Sequence, residues 1–135
     1  MKATAALFLG SLHLAGCSAG KPPESDVATI ESVTSKNACV GALSRWHRVF
    51  AFQKQGNRID TDVITVTYIQ AGHRGLAAGR VIAEPGWQSI IDDSQHRVAG
   101  GEYDRTTHRF SEWSCGCNFQ PYNVEHATEC VPTSG

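Results

Sequence analysis

The sequence predicts a mainly β fold, with α+β as the alternative: a small antiparallel sheet or barrel-like domain stapled by disulfides. Three observations carry this expectation. Ile59 to Gln70 (IDTDVITVTYIQ) is β-branched or aromatic almost throughout, which suits a pleated, half-buried surface. Turn signals separate a series of short runs without any βαβ alternation, the pattern of antiparallel sheets and small barrels. Beyond Cys17, four cysteines remain, Cys39, Cys115, Cys117 and Cys130, an even set that two bridges would absorb.

At 135 residues the chain has room for one sizeable domain. No apolar run reaches the roughly 18 to 20 residues of a bilayer-spanning helix. A formal net charge of −1 excludes the clustered basic footprint expected of a nucleic-acid binder.

Taken in order, Met1 and Lys2 precede the short, mostly apolar stretch Ala3 to Leu14, which has the proportions of a signal peptide. It ends in Leu14-Ala15-Gly16-Cys17. These four residues resemble the lipobox of bacterial lipoprotein precursors: an aliphatic residue, two small residues, then the cysteine whose thiol takes the lipid. The resemblance implies a signal peptide over 1–16, cleavage before Cys17 and acylation there, anchoring the mature chain to a membrane. Ser18 in place of Asp implies export to the outer membrane, on its periplasmic side. Residues 17–35 are small, polar and broken by Pro22-Pro23, and are predicted as the lipidated cysteine and a flexible tether, with Val27 to Val33 as a possible edge strand. The globular domain is then expected over 36–135.

Within it, Ala38 to Ser44 suits either a helical turn or an entry strand. Trp46 to Lys54 alternates Trp46, Arg48, Phe50 and Phe52 against His47, Val49, Ala51 and Gln53, as a strand does. Its spacing from Ile59 to Gln70 across Gln55-Gly56-Asn57 predicts a hairpin. Ala71 to Ala78 is a Gly-rich loop carrying His73 and Arg74; Gly79 to Glu84 is a short strand. Pro85-Gly86 then supplies the residues a type II turn requires, and Trp87 to Ile91 returns. His96 to Ala99 is a short strand ended by Gly100-Gly101. Arg105-Thr106-Thr107 is a turn, and Arg109 to Cys117 is the last strand, with Trp113, Cys115 and Cys117 on one face.

An exported domain with four cysteines points to structural disulfides. A Cys115 to Cys117 bridge would close a strained ring around Gly116. The expected pairing therefore joins Cys39 to one of the two and Cys130 to the other, contributing about 3 to 4 kcal/mol each. A redox dithiol or a zinc site is the functional alternative.

Asp92-Asp93-Ser94-Gln95-His96 is the densest polar cluster, and Asp92, Asp93 and His96 are the candidate metal-binding or acid–base residues. A solvated turn explains the same residues. His47, His73, His96, His108 and His126 show no metal-ligand spacing, no serine stands in a G-x-S-x-G setting, and no cofactor is implied. Gly72-His73-Arg74-Gly75 with Gly79-Arg80 could cradle an anion, yet no helix start follows to supply amides.

Gly100-Gly101-Glu102-Tyr103 followed by Phe110-Ser111-Glu112-Trp113 resembles the membrane-bound lipoprotein type of periplasmic lysozyme inhibitor. Those are small cysteine-stapled β-barrels with a Gly-containing Tyr motif and a later Trp strand. Together these readings predict a non-enzymatic binding module anchored by lipid on Cys17, with a protein partner in the envelope, as an inhibitor or immunity-type protein against a cell-wall hydrolase or toxin. The alternatives are a small periplasmic enzyme or metal-binding protein using Asp92, Asp93 and His96, and an envelope assembly or surface-attachment factor.

Overall fold

A computed structural model describes residues 20–86 and 97–114 of the chain. One helix, α1 (Glu24–Thr34), precedes five strands: β1 (Trp46–Gln55), β2 (Arg58–Gln70), β3 (Gly79–Ile82), β4 (Val98–Asp104) and β5 (Arg109–Ser114). They form a single sheet in the order β3-β1-β2-β4-β5.

The mainly β expectation holds, with two corrections to its architecture. The sheet is mixed, because β3 lies parallel to β1 while every other pair is antiparallel. The parallel pair arises because the loop after β2 carries the chain past the start of β1, so that Gly79 stands beside His47 on the far side from β2. The sheet is also open among the described residues, with β3 and β5 as its edges.

The second correction concerns the segment expected to be a flexible tether or an edge strand. Residues 24–34 are helical. Pro23 takes the extended conformation at the N-cap and its carbonyl accepts the Asp26 and Val27 amides at 3.1 and 3.2 Å. The Pro pair that breaks the chain thus also starts the helix. Glu24 and Asp26 complement the positive end of the helix dipole. Val27, Ile30, Glu31 and Thr34 are buried, the spacing of one helical face. Five of the eleven helix residues are β-branched (Val27, Thr29, Ile30, Val33 and Thr34), so tertiary packing outweighs local propensity here. Burying Val27 and Ile30 completely stabilises the docked helix by about 1.5–3 kcal/mol each.

The hairpin appears as the spacing requires. Gln55 stands opposite Arg58, leaving a two-residue loop with Gly56 at φ +59°, the left-handed conformation that the tight hairpin needs at its first central position. A register shift after Phe52 places Gln53 opposite Asp60. The alternation read from β1 also holds: Trp46, Phe50 and Phe52 enter the core on the α1 side, with Ile64, Val66, Tyr68, Ala99, Tyr103, Phe110 and Trp113. Tyr68 is the hub, with its ring 5.9 Å from Phe50, 6.3 Å from Trp46 and 6.0 Å from Trp113. At the Trp46 end of the ladder the opposite face is buried too, at Val49, Thr67, Ile69 and Val98.

Gly100-Gly101 do not end a strand. Strand β4 runs straight through them, because a side chain at either position would strike the neighbouring strand. A Cβ on Gly100 would lie 2.5 Å from the Val66 carbonyl oxygen, and one on Gly101 1.9 Å from that of Glu112. Ala38 to Ser44 resolves towards the helical alternative, as turns leading into a short 3-10 segment over Leu43–Arg45. Gly86 has the positive φ of +97° that the predicted turn demands.

Candidate functional site

The sequence-predicted site residues fall largely outside the described segments. Asp92, Asp93 and His96 lie outside them, as do Cys17, Cys115, Cys117 and Cys130. Cys39 is described; it packs against the core beside Val40, and its amide donates to Asn37 Oδ1 at 2.9 Å. Val40 and Trp113 belong to the core cluster against which Cys39 packs. The two motif runs Gly100 to Tyr103 and Phe110 to Trp113 face one another across the β4–β5 ladder, Gly101 opposite Trp113 and Tyr103 opposite Phe110. Among the described residues, no group of three His, Cys, Asp or Glu could hold a metal ion, and no helix is long and apolar enough to cross a membrane.

Two polar constellations are brought together by the fold. The first joins α1 to the sheet. Register places Arg80 of β3 beside Arg48 of β1 on the α1 side, directly beneath Glu31. Arg48 Nε donates to Glu31 Oε1 at 2.7 Å, and Arg80 Nη2 donates to Glu31 Oε2. Arg80 Nη1 reaches Glu24 at 2.8 Å, and Arg48 Nη1 caps the Leu43 carbonyl. Burial pushes the Glu31 carboxyl up, but hydrogen bonds and charge from Arg80 and Arg48 outweigh it and hold the carboxyl below its ordinary value. One turn further along α1, Tyr68 meets the Thr34 hydroxyl at 2.7 Å while Thr34 donates to the Ile30 carbonyl at 2.9 Å. Burial, the largest influence on Tyr68, pushes its phenol well above the ordinary tyrosine value, so it stays protonated. This network fixes α1 in place.

The second constellation lies at the opposite end of the sheet from the hairpin tip. Gln70 and Ala71 donate their amides to the Arg97 and Arg45 carbonyls, each at 2.8 Å, so the two arginines flank the end of β2. The loop that follows brings up His73 and Arg74. Arg97 Nη1 lies 3.1 Å from His73 Nδ1. His47 Nδ1 donates to the Ala77 carbonyl at 2.9 Å in the same region. Arg45 and Arg74 are exposed, and among the described residues no carboxylate pairs with Arg45, Arg74 or Arg97.

The anion cradle considered at Gly72 to Gly75 with Gly79-Arg80 does not assemble. Arg80 is taken up by Glu24 and Glu31, on the far side of β1 from the loop. Sequence reasoning placed His73 and Arg74 in a loop but missed Arg45 and Arg97 as their neighbours. The signal was tertiary: only the β1–β2–β4 register brings positions 45, 71 and 97 to one edge. A third feature, the shallow depression beside Asp104, Arg109 and Phe110, is occupied with structure. Asp104 Oδ1 accepts the Thr106 and Thr107 amides at 2.7 and 3.0 Å and holds the β4–β5 turn.

Set against protein-family models, characterised proteins and solved structures, the chain matches none of them.

Proposed function

We propose that the chain is a lipid-anchored protein of the bacterial envelope that works by binding another protein, as an inhibitor or immunity-type partner of a cell-wall hydrolase or toxin. The observation that carries the anchor is Leu14-Ala15-Gly16-Cys17 behind the short, mostly apolar stretch Ala3 to Leu14. An aliphatic-small-small-cysteine sequence at this distance from Met1 serves processing better than folding.

The binding role rests on the basic end of the sheet. Backbone hydrogen bonds at the end of β2 bring the chain at Arg45 and Arg97 to the same end of the sheet as the loop carrying Arg74. Arginines grouped in this way suit recognition of carboxylates on an acidic protein surface. Two disulfides belong to the same proposal, Cys39 with one of Cys115 and Cys117 and Cys130 with the other.

Intact mass of the full-length protein extracted from membranes without reduction tests the anchor and the bridges together. A triacylated Cys17 and no free thiol are expected; an unprocessed Met1, or two free thiols, would overturn the anchor or the bridges respectively. The binding role is tested by turbidity clearance of cell-wall suspensions by muramidases. Slower lysis with added protein, restored by Arg74→Glu with Arg97→Glu, is expected. Unchanged lysis across the lysozyme types would remove the hydrolase-inhibitor reading.

A further inference from the structure

The chain path between the anchor and the domain is short enough to orient the whole molecule. Gly20 is packed against Glu84, since a Cβ there would lie 2.5 Å from Glu84 Oε2. Lys21 Nζ pairs with Glu84 Oε1 at 3.8 Å. Two residues, Ser18 and Ala19, separate Gly20 from Cys17, a span of at most about 11 Å of extended chain. An acyl-bearing cysteine so close to Gly20 leaves only the pole around Gly20, Glu84 and Gly86 able to face the lipid.

That pole is completed by the β1–β2 hairpin tip. The Lys54 side chain runs past Gly86, 3.3 Å from where a Cβ would stand, and Lys54 is the cross-strand partner of Ile59. Residues 54–60 are all exposed. Ile59, 45% exposed, is one of two large hydrophobic residues in the described chain that face solvent. Of the acids nearby, Glu84 pairs with Lys21 and Glu24 with Arg80; Asp60 Oδ1 accepts the Asp62 amide at 2.9 Å, and Asp60 and Asp62 keep their charge two and four residues beyond Arg58. Lys54 and Arg58 have no carboxylate partner among the described residues.

We propose that this tip, Lys54, Arg58 and Ile59, is a seat on which the domain rests against anionic phospholipid headgroups. The inference rests on the lipid-anchored reading. Lys54 and its cross-strand partner Ile59 share one face of the hairpin, with Arg58 on the other face beside the turn; each cation near an anionic leaflet strengthens contact about fivefold. Seating this pole turns the opposite end, with Arg45, Arg74 and Arg97, away from the membrane.

The test is amide hydrogen exchange on the full-length acylated protein, in vesicles of phosphatidylglycerol and phosphatidylethanolamine and in neutral detergent micelles. Exchange over 54–60 is expected to slow by about tenfold in the vesicles, with no change over 71–76, and to return to the micelle value in Lys54→Glu with Arg58→Glu. Acylated protein whose tip exchanges equally in both media, or slows only when envelope proteins are added, overturns the membrane seat alone. Protein whose intact mass shows no acyl group overturns the anchor and the seat together.

Discussion

Strand β2 is one continuous ladder of thirteen residues, yet its two halves meet different surroundings. Arg58 to Val63 is exposed or half-buried, whereas Ile64 to Ile69 alternates between the α1 core and a second covered face until almost every side chain is out of water. Backbone pairing and β-branched side chains are shared by both halves. The partners differ: α1, β1 and β4 cover the inner half, whereas the outer has the β1 tip beside 58–60 and the end of β4 with Arg105 beside 61–63. A strand's length is thus written by its own propensity, and its burial by elements far away in the chain.

The sharpest way to break the inner half is to crowd it. Gly101→Val puts side-chain atoms into the Glu112 carbonyl, which lies 1.9 Å from the Cβ position, and β4 and β5 cannot pair around it. A cost of about 5 kcal/mol, or failure to fold, is expected, read as loss of soluble protein and of the near-ultraviolet signal from Trp113. In the outer half, Gly56→Ala meets open space and pays only for its left-handed φ, about 1 kcal/mol.

Next in size is the link between α1 and the sheet. Arg48→Ala leaves a Glu31 carboxylate, only 8% exposed, with one cation instead of two, and should cost about 3 kcal/mol in urea unfolding. Glu31→Gln carries a pH signature. Its carboxyl is held below the ordinary value in the fold, so the stability it provides is complete above the unfolded value of about 4.3 and is lost as pH falls through the lowered one. The wild-type urea midpoint should therefore drop between pH 5 and 3 by more than that of Glu31→Gln. Parallel midpoints would show that the ion network carries no linkage. Tyr68→Phe is smaller, about 1 kcal/mol, since Thr34 keeps its bond to the Ile30 carbonyl. Ile59→Ser should be smallest, within about 0.5 kcal/mol, because the outer half has little burial to lose; a larger change in melting temperature would show that the tip is packed in solution.

The inner and outer halves were legible to different degrees. The hairpin, the alternation of Trp46, Phe50 and Phe52 and the turn at Gly86 follow from local chemistry, and local chemistry decides them. The helix did not show, because Val27, Ile30, Val33 and Thr34 favour a strand in isolation, and the pairing of Glu31 with Arg48 and Arg80 that holds them helical spans 17 and 49 residues. Gly100-Gly101 read as a stop, because glycine's common use is a turn; its use here is close approach between backbones, which only the sheet reveals. The parallel setting of β3 has no local signal in four residues. At the basic end, Arg97 became visible as a neighbour of His73 only through β-sheet register, while Asp92, Asp93 and His96 stand outside the described residues.

The long reach of α1 also dictates when the molecule can finish folding. Asp26 near the amino end accepts a hydrogen bond from Arg105, 79 residues away, at 2.7 Å, and Ile30 shares a core with Trp113. Contacts across so much chain form slowly, because loop closure must precede any gain from burial. Helix α1 therefore docks in part on β1 to β3, and its contacts are complete only when β4, β5 and the turn between them are present. A chain threaded amino end first through a narrow pore would stay pliable until nearly all of it had passed. The expected kinetic trace is a single slow refolding phase on the millisecond-to-second scale, in which helix and sheet signals rise together.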